Sequence, residues 1–342
     1  MTGYILEKIY FEHQAGVNHP ESPARLEAIL EAIKKVKGLK KVKARAASPE
    51  EICFVHTKDY FDKIKITREN KFTSLDPDTG TNDKSFEAAL YAAGGVLSLI
   101  DSVFKKEIDN GFAFVRPPGH HAEKDRARGF CLFNNIAIGA SYALERYNLS
   151  RILILDLDLH HGNGTQQAFY KTDKVMYISA HQYPYFPGSG YFDEVGESKG
   201  KGYNINFPLN IGQGDNFYHH LLDRIIKPIV NQYAPELILV SFGFDTYGGD
   251  PLGGMKLTTK GYRNMTRQIL EMADENCQGR LIYILEGGYN KEGIKEGTKA
   301  VLQSLKGKPV KEGISKQQKN KEFWQYYEEI KKYYEKYGFN IC

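Results

Sequence analysis

Cysteine is scarce in this chain: four in 342 residues, at Cys53, Cys131, Cys277 and Cys342, with no CxxC pair. That scarcity excludes a disulfide framework and a thiolate zinc cluster, and it fits a reducing cytoplasm, the expected location. No continuous apolar run reaches the roughly 20 residues that cross a bilayer. The opening MTGYILEKIYFEH lacks the basic-then-apolar order of a signal peptide. An excess of one charge is missing too: 46 Lys+Arg against 42 Asp+Glu leave a net charge of +4. Lysine and glutamate are intermixed, so neither a nucleic-acid face nor a membrane contact is expected. Internal repeats and dividing linkers are also absent.

What is present is a 41% hydrophobic share, enough for a real core. Five short apolar runs rich in β-branched residues each end in polar residues able to do chemistry. FAFVR (112–116) leads into Pro117-Pro118-Gly119-His120-His121, and ILIL (152–155) into Asp156-Leu157-Asp158-Leu159-His160-His161. VMYIS (175–179) leads into Ala180-His181, LILVSF (237–242) into Gly243-Phe244-Asp245, and LIYILEGG (281–288) into Tyr289. Such runs read as parallel strands buried on both faces.

Helical periodicity fills the intervals at 23–37, 84–104, 134–147, 216–232, 258–273 and 291–305, with a further strand expected at 203–207. Ser22 is expected to cap the first helix, with Pro23 in its first turn. Alternating strands and helices predict an α/β domain, a parallel sheet covered on both faces. Residues 183–202 form a long loop rich in Tyr, Pro and Gly, a length that points to function. Composition shifts to Lys, Gln and Tyr after about residue 306, and aromatics at helical spacing in 323–339 predict a terminal helix docked on the domain.

In open α/β sheets ligands bind outside the carboxyl ends of the strands, so these polar residues should share one rim. Side-chain alternation along a strand puts Asp158 and His160 on one side, with Asp156 beside them if the strand persists. Asp245 can supply a third ligand. Two carboxylates and an imidazole with open positions are consistent with catalytic zinc, and carboxylate-rich sites also suit iron(II) or manganese. His120 and His121 are acid/base candidates, oriented by acceptors for which Asp156 and Asn163 are the nominees. The Tyr289 hydroxyl can donate to an oxyanion.

Together RPPGHHAEKDRARGFCLFNN, DLDLHHGNGTQ, GFDTYGGDPLGG, LEGGYN and the N-terminal HPESPARL resemble the histone deacetylase / acetylpolyamine amidohydrolase superfamily, in order, over roughly residues 1–305. The resemblance implies the arginase–deacetylase fold, a single, mostly parallel eight-stranded sheet with helices on both faces. It implies a deacetylase domain at 1–310 and an extension at 311–342. It assigns Asp158, His160 and Asp245 to the metal, His121 to general base and acid, His120 to electrostatic partner and Tyr289 to carbonyl polarisation. Phe130 and Phe186 match the walls of an acyl-lysine channel, and Gly129 a carbonyl that accepts the substrate amide. Asp156, Asp158, His160, Ser179 and Ala180 match a structural potassium site; Phe169, Thr172, Val175 and Tyr203 match a second.

Within the superfamily, Asn163 as partner of His121 is typical of the class II-like branch. A neutral partner should leave His121 more readily neutral. Leu252 stands where polyamine-selective eukaryotic relatives carry glutamate, although Asp76, Asp78 and Asp83 leave polyamines open. The resemblance thus implies a zinc-dependent (or iron(II)-dependent) deacylase for an acetylated peptide or small acylated amine. Acetylpolyamine hydrolysis, silent acyl-lysine binding and a binuclear hydrolase are the alternatives. Loop 183–202 is the candidate for any subunit contact.

Overall fold

Apolar runs flanked by helices bury both faces of a strand only if they line up side by side, and they do so here. In the computed structural model, which describes residues 1–307 and 320–337, the strands run in chain order as follows. They are β1 (Thr2–Ile5), β2 (Lys40–Lys41), β3 (Thr73–Asp76), β4 (Thr79–Thr81) and β5 (Asn110–Ala113). Then come β6 (Ile152–Asp156), β7 (Val175–Gln182), β8 (Asn204–Leu209), β9 (Leu237–Phe242) and β10 (Leu281–Leu285). Eight form one sheet in the order β2-β1-β5-β10-β9-β6-β7-β8, with every pair parallel. β3 and β4 make a separate antiparallel pair. Every residue of β6, β7, β9 and β10 is buried.

The helices between them are α1 (Ile9–Glu12), α2 (Ala24–Lys34), α3 (Pro49–Ile52), α4 (Lys58–Ile66), α5 (Ser85–Phe104) and α6 (Asn135–Tyr147). They continue with α7 (Asn163–Phe169), α8 (Asp215–Leu221), α9 (Lys227–Tyr233), α10 (Thr259–Cys277), α11 (Lys291–Leu305) and α12 (Lys321–Tyr334). The chain leaves β5, builds β6 to β8 outward, then returns to insert β9 and β10 between β6 and β5. That return makes β5, β10, β9 and β6 adjacent at the centre. Their carboxyl ends carry the His pair, Tyr289, Asp245 and the 156–161 run, so topology alone assembles the rim.

Several local expectations change. Ser22 does not cap α2: Pro23 occupies the N-cap position, with no side-chain cap bond. The N-terminal segment MTGYILEKIYFEH holds both β1 and α1. Ladder pairing of β5 stops at Ala113 rather than Arg116, and β8 begins and ends later than 203–207. The helix expected at 216–232 contains one π-helical turn, Leu222–Ile226, between α8 and α9. The 20-residue α5 is, against expectation, long and apolar enough to cross a membrane, but 72% of its apolar window is buried inside this fold. Gly94 explains its seating: a Cβ there would stand 2.1 Å from the Arg45 carbonyl oxygen.

β8 is an edge strand, and edges expose unpaired N–H and C=O groups. The C-terminal helix covers this one. Phe323, Ile330 and Tyr334 of α12 are buried. The Tyr334 hydroxyl donates to Asn206 O at 2.6 Å and accepts from Asn206 N–H at 3.0 Å. The expected boundary between 310 and 311 lies outside the described residues. Tyr334→Phe should lower stability by about 1–3 kcal/mol, because two buried backbone groups lose their partner. Urea unfolding at unchanged m-value would read this; an unmoved midpoint would show that the hydroxyl contributes nothing to the edge.

Candidate active site

Two carboxyl-end loops, after β6 and after β9, bring Asp158, His160 and Asp245 together, with one donor atom from each within 4.8 Å of the others. The convergence does not come from strand alternation as expected, since β6 ends at Asp156. Backbone donors shape the loop instead. Asp158 Oδ1 accepts from His160 N–H at 2.8 Å, and Asp158 Oδ2 from Gly287 N–H at 2.7 Å. Asp245 Oδ1 accepts from Leu159 N–H at 3.0 Å. His160 Nδ1 faces both acids, 3.2 Å from Asp158 Oδ1 and 3.2 Å from Asp245 Oδ2.

A divalent cation fits this set. Asp245 Oδ2, though close to His160, is buried and makes no hydrogen bond among the described residues. Burial and the Asp158 charge push Asp245 up to about 7. Burial works against a charged His160, but the two acids outweigh it and raise the imidazole to about 9. A buried carboxylate oxygen without a partner, beside a second acid and an imidazole nitrogen, is uncompensated negative charge that a bound cation neutralises. The residues for zinc or iron(II) are therefore in place.

The adjacent histidines are electrostatic opposites. His120 Nδ1 lies 3.1 Å from Asp156 Oδ2. Burial disfavours its charge, but Asp156, Asp158 and Glu286 outweigh burial and raise it to about 10. His121, ring centroid 4.0 Å away, is held well below its usual value by burial and then by the charges on His120 and His160. Its Nδ1 is 2.9 Å from Asn163 Oδ1. The two nominated acceptors thus divide, one to each histidine. The physical reason for a neutral His121 is burial beside a cation; the bond to Asn163 works slightly the other way.

A pocket of about 180 Å³ opens above these groups, lined by His120, His121, Asp158, His160 and Tyr289 and walled by Phe130, Phe186, Tyr185 and Leu252. Phe186 meets His121 edge-on at 5.1 Å, and Phe130 meets Tyr289 edge-on at 5.9 Å. Gly129 has φ +56°, and a Cβ there would stand 2.4 Å from His121 Cδ2, so only glycine lets this wall approach the base. Asp78 also lines the pocket, accepting from Gly129 N–H at 3.2 Å. For the expected potassium sites, Asp156 and Ser179 are register partners on β6 and β7, with Ala180 next along. In the second set Thr172 N–H donates to Phe169 O at 3.2 Å, Val175 opens β7, and Tyr203 precedes β8 beside it.

Sequence reasoning missed the groups that hold this centre in place. Glu286 accepts from the Gly119 and His120 N–H groups at 2.7 and 3.1 Å and from the Ser241 hydroxyl at 3.0 Å. An acid closing the apolar run LIYIL was its only signal. Glu123 accepts from Asn163 Nδ2 at 2.7 Å, orienting the amide that orients His121. His56 reinforces that chain: its Nδ1 donates to Glu123 O at 2.9 Å, and its Nε2 accepts from Asn134 N–H at 2.9 Å. Nothing in the local sequence connects His56 to residues so far along the chain.

Known proteins resemble this chain along most of its length. A profile of the histone deacetylase domain matches residues 19–305. A probable deacetylase of Archaeoglobus fulgidus is 40% identical over 298 residues, 86% of this chain and 82% of that protein. A histone deacetylase-like amidohydrolase of Pseudomonas aeruginosa is 36% identical over 90% of this chain and 84% of its own length. Human histone deacetylase 9 is 38% identical over 93% of this chain, which spans just 35% of that longer protein. The crystal structure of the HDA15 HD domain matches with a TM-score of 0.90 at 34% identity, over 98% of this chain and 94% of that one.

Two measurements check the geometry. Asp245→Ala should abolish stoichiometric zinc binding, read by metal analysis after dialysis; full loading would remove Asp245 from the ligand set. Burial pushes His56 down to about 4, against roughly 6.5 unfolded. Between those values the unfolded chain binds more protons, so stability rises with pH. The contribution is complete above pH ~6.5 and disappears as pH falls through ~4, on the order of 3 kcal/mol. His56→Gln should flatten the fall in urea midpoint across that window, and an unchanged slope would contradict it.

Proposed function

The chain belongs to the histone deacetylase domain family, and from that premise we propose that it is a metal-dependent deacylase hydrolysing acetyl-lysine or a related small N-acylated amine. The observation that carries this reading is the His120–His121 pair set against the Asp158–His160–Asp245 cluster in one narrow aromatic pocket that Tyr289 also lines. Zinc, with iron(II) as the alternative, would be held by those three side chains; when bound, such an ion polarises the acyl carbonyl and lowers the pKa of water.

Each protein group then has a distinct task. His121 is held uncharged, and its Nδ1–H is committed to Asn163. Its Nε2 is therefore free to take a proton from water as that water attacks the carbonyl carbon. Tyr289 donates its hydroxyl to the developing oxyanion. As the C–N bond breaks, His121 returns that proton to the leaving nitrogen, giving a neutral amine and a carboxylic acid, which then exchange a proton to become ammonium and carboxylate. Assistance of this kind contributes on the order of 10²–10⁴-fold. His120, kept cationic by Asp156 and its neighbours, disfavours a resting charge on His121 and keeps it a base. Phe130 and Phe186 clasp the aliphatic stem of the substrate and exclude water.

A second reading rests on Asp78, whose carboxylate lines the pocket. An acid there favours acylated amines that carry a second, positively charged amine, as in an acetylpolyamine. A side-by-side assay of acetyl-lysine peptides, longer-acyl peptides and acetylputrescine separates the two, and inertness towards all of them at full metal loading would refute both. On whichever substrate is turned over, Tyr289→Phe should retain metal and lose about 10²–10³-fold in kcat, the usual effect of one oxyanion donor. A near-normal rate would exclude Tyr289 from the chemistry.

A further inference from the structure

Asp250 lies in the loop after β9, only 5% exposed, and its two carboxylate oxygens hold two different walls of the pocket. Oδ2 accepts from the backbone N–H groups of Tyr289 at 2.6 Å and Asn290 at 3.0 Å. Oδ1 accepts from Leu252 N–H at 3.0 Å. The Leu252 carbonyl in turn accepts from the Tyr185 hydroxyl at 3.1 Å. Tyr289, Leu252 and Tyr185 all line the pocket, so one buried carboxylate connects the oxyanion donor to the opposite rim. A second tie runs parallel: Asn290 Nδ2 donates to Gly249 O at 2.9 Å.

The turn that carries Tyr289 needs such a hold. Gly288, immediately before it, has φ +113°, a backbone region open to glycine and closed to most residues. A glycine pair in front of a catalytic side chain leaves the backbone free to swing unless something outside the turn fixes it. The Arg25 guanidinium, 5.1 Å from the Tyr289 ring centroid, steadies the ring face. Asp250 takes the backbone itself, at Tyr289 and at the first residue beyond it.

We propose that Asp250 is a positioning residue for deacylation: it fixes the Tyr289 backbone so that the hydroxyl meets the developing oxyanion, and through Leu252 and Tyr185 it sets the facing rim. This rests on the deacylase reading above. It differs from a general structural role because its effect on turnover passes through the Tyr289 hydroxyl.

A double-mutant cycle of Asp250→Asn and Tyr289→Phe, with metal content measured on each protein, tests this. Asp250→Asn alone should lower kcat on an acetyl-lysine peptide about 10–100-fold, a fraction of the effect of losing the donor outright. KM should stay within about threefold and metal content should not change. In the Tyr289→Phe background the same change should cost less than about twofold, since residues acting as a unit are non-additive. Fully additive losses, a wild-type kcat, or loss of metal would each overturn the proposal. Amide hydrogen exchange across 286–292 gives a readout independent of turnover: Asp250→Asn should accelerate exchange at Tyr289 and Asn290, and unchanged exchange would also overturn it. If the unsubstituted protein hydrolyses none of the substrates, the functional reading fails while exchange still decides whether Asp250 holds Tyr289. Asp250→Glu, which keeps the charge but changes the reach, replaces the amide variant if that does not fold, with the same losses expected.

Discussion

Six carboxylates buried at one end of the sheet set the terms for everything else in this protein. Glu21, Asp156, Asp158, Asp245, Asp250 and Glu286 are each at most 5% exposed. Desolvating a carboxylate costs several kcal/mol even after relaxation, so each must find compensation nearby. Glu21 finds it in Arg116 and Arg25, which draw it well below the usual range despite burial. Arg25 then extends to the carbonyls of Glu286 and Gly288, and Arg116 to those of Tyr10 and His13. One ionic cluster thereby joins the N-terminal segment to the ends of β5 and β10. Asp156 has His120 and the Tyr177 hydroxyl, and Asp250 has three backbone N–H groups. Compensation is incomplete at Asp245, whose Oδ2 has no hydrogen-bond partner among the described residues, and that is where a divalent ion fits, beside Asp158 and His160.

The same ledger of charge separates the two histidines. They are neighbours in sequence and their rings touch, yet one is held cationic and the other neutral. Acids surround His120, whereas His121 faces an amide, two imidazoles and aromatic walls. A base poised in this way needs no neighbour to remove its resting proton. Its tautomer is set by Asn163, whose amide is set by Glu123, whose carbonyl is held by His56. The reactive nitrogen is thus determined by a chain of hydrogen bonds reaching back to the start of α4.

The central strands were legible because their residues are buried on both faces, which writes β6, β7, β9 and β10 into the sequence as continuous apolar runs. The cluster of Asp158, His160 and Asp245 was legible because these residues directly follow two of those runs. Less of β5 was readable, since Phe114, Val115 and Arg116 stay apolar or buried after ladder pairing ends. Asp250, Glu286, Glu123 and His56 could not be found, because what they do depends on backbone groups of distant loops. Their side-chain types are common, and only the fold gives them partners. Strand alternation put Asp158 and His160 together for the wrong reason: hydrogen bonds from His160 and Gly287 to Asp158 shape that loop, and those donors are invisible in sequence.

Chemistry and stability are therefore coupled here. The acids to which the proposed reaction assigns roles are those the fold can least bury alone, and a low-polarity aromatic wall strengthens both attraction and repulsion among them. A ligand that binds only the folded state stabilises it by mass action. An ion between Asp158 and Asp245 would do this at the point of greatest repulsion, so occupancy should rigidify the loops after β6, β9 and β10 together. Tyr289 and Leu252 sit on those same loops, tied to each other through Asp250. On the proposed reading, holding an ion, aligning Tyr289 and closing the rim would be one structural event, organised by the need to neutralise buried charge.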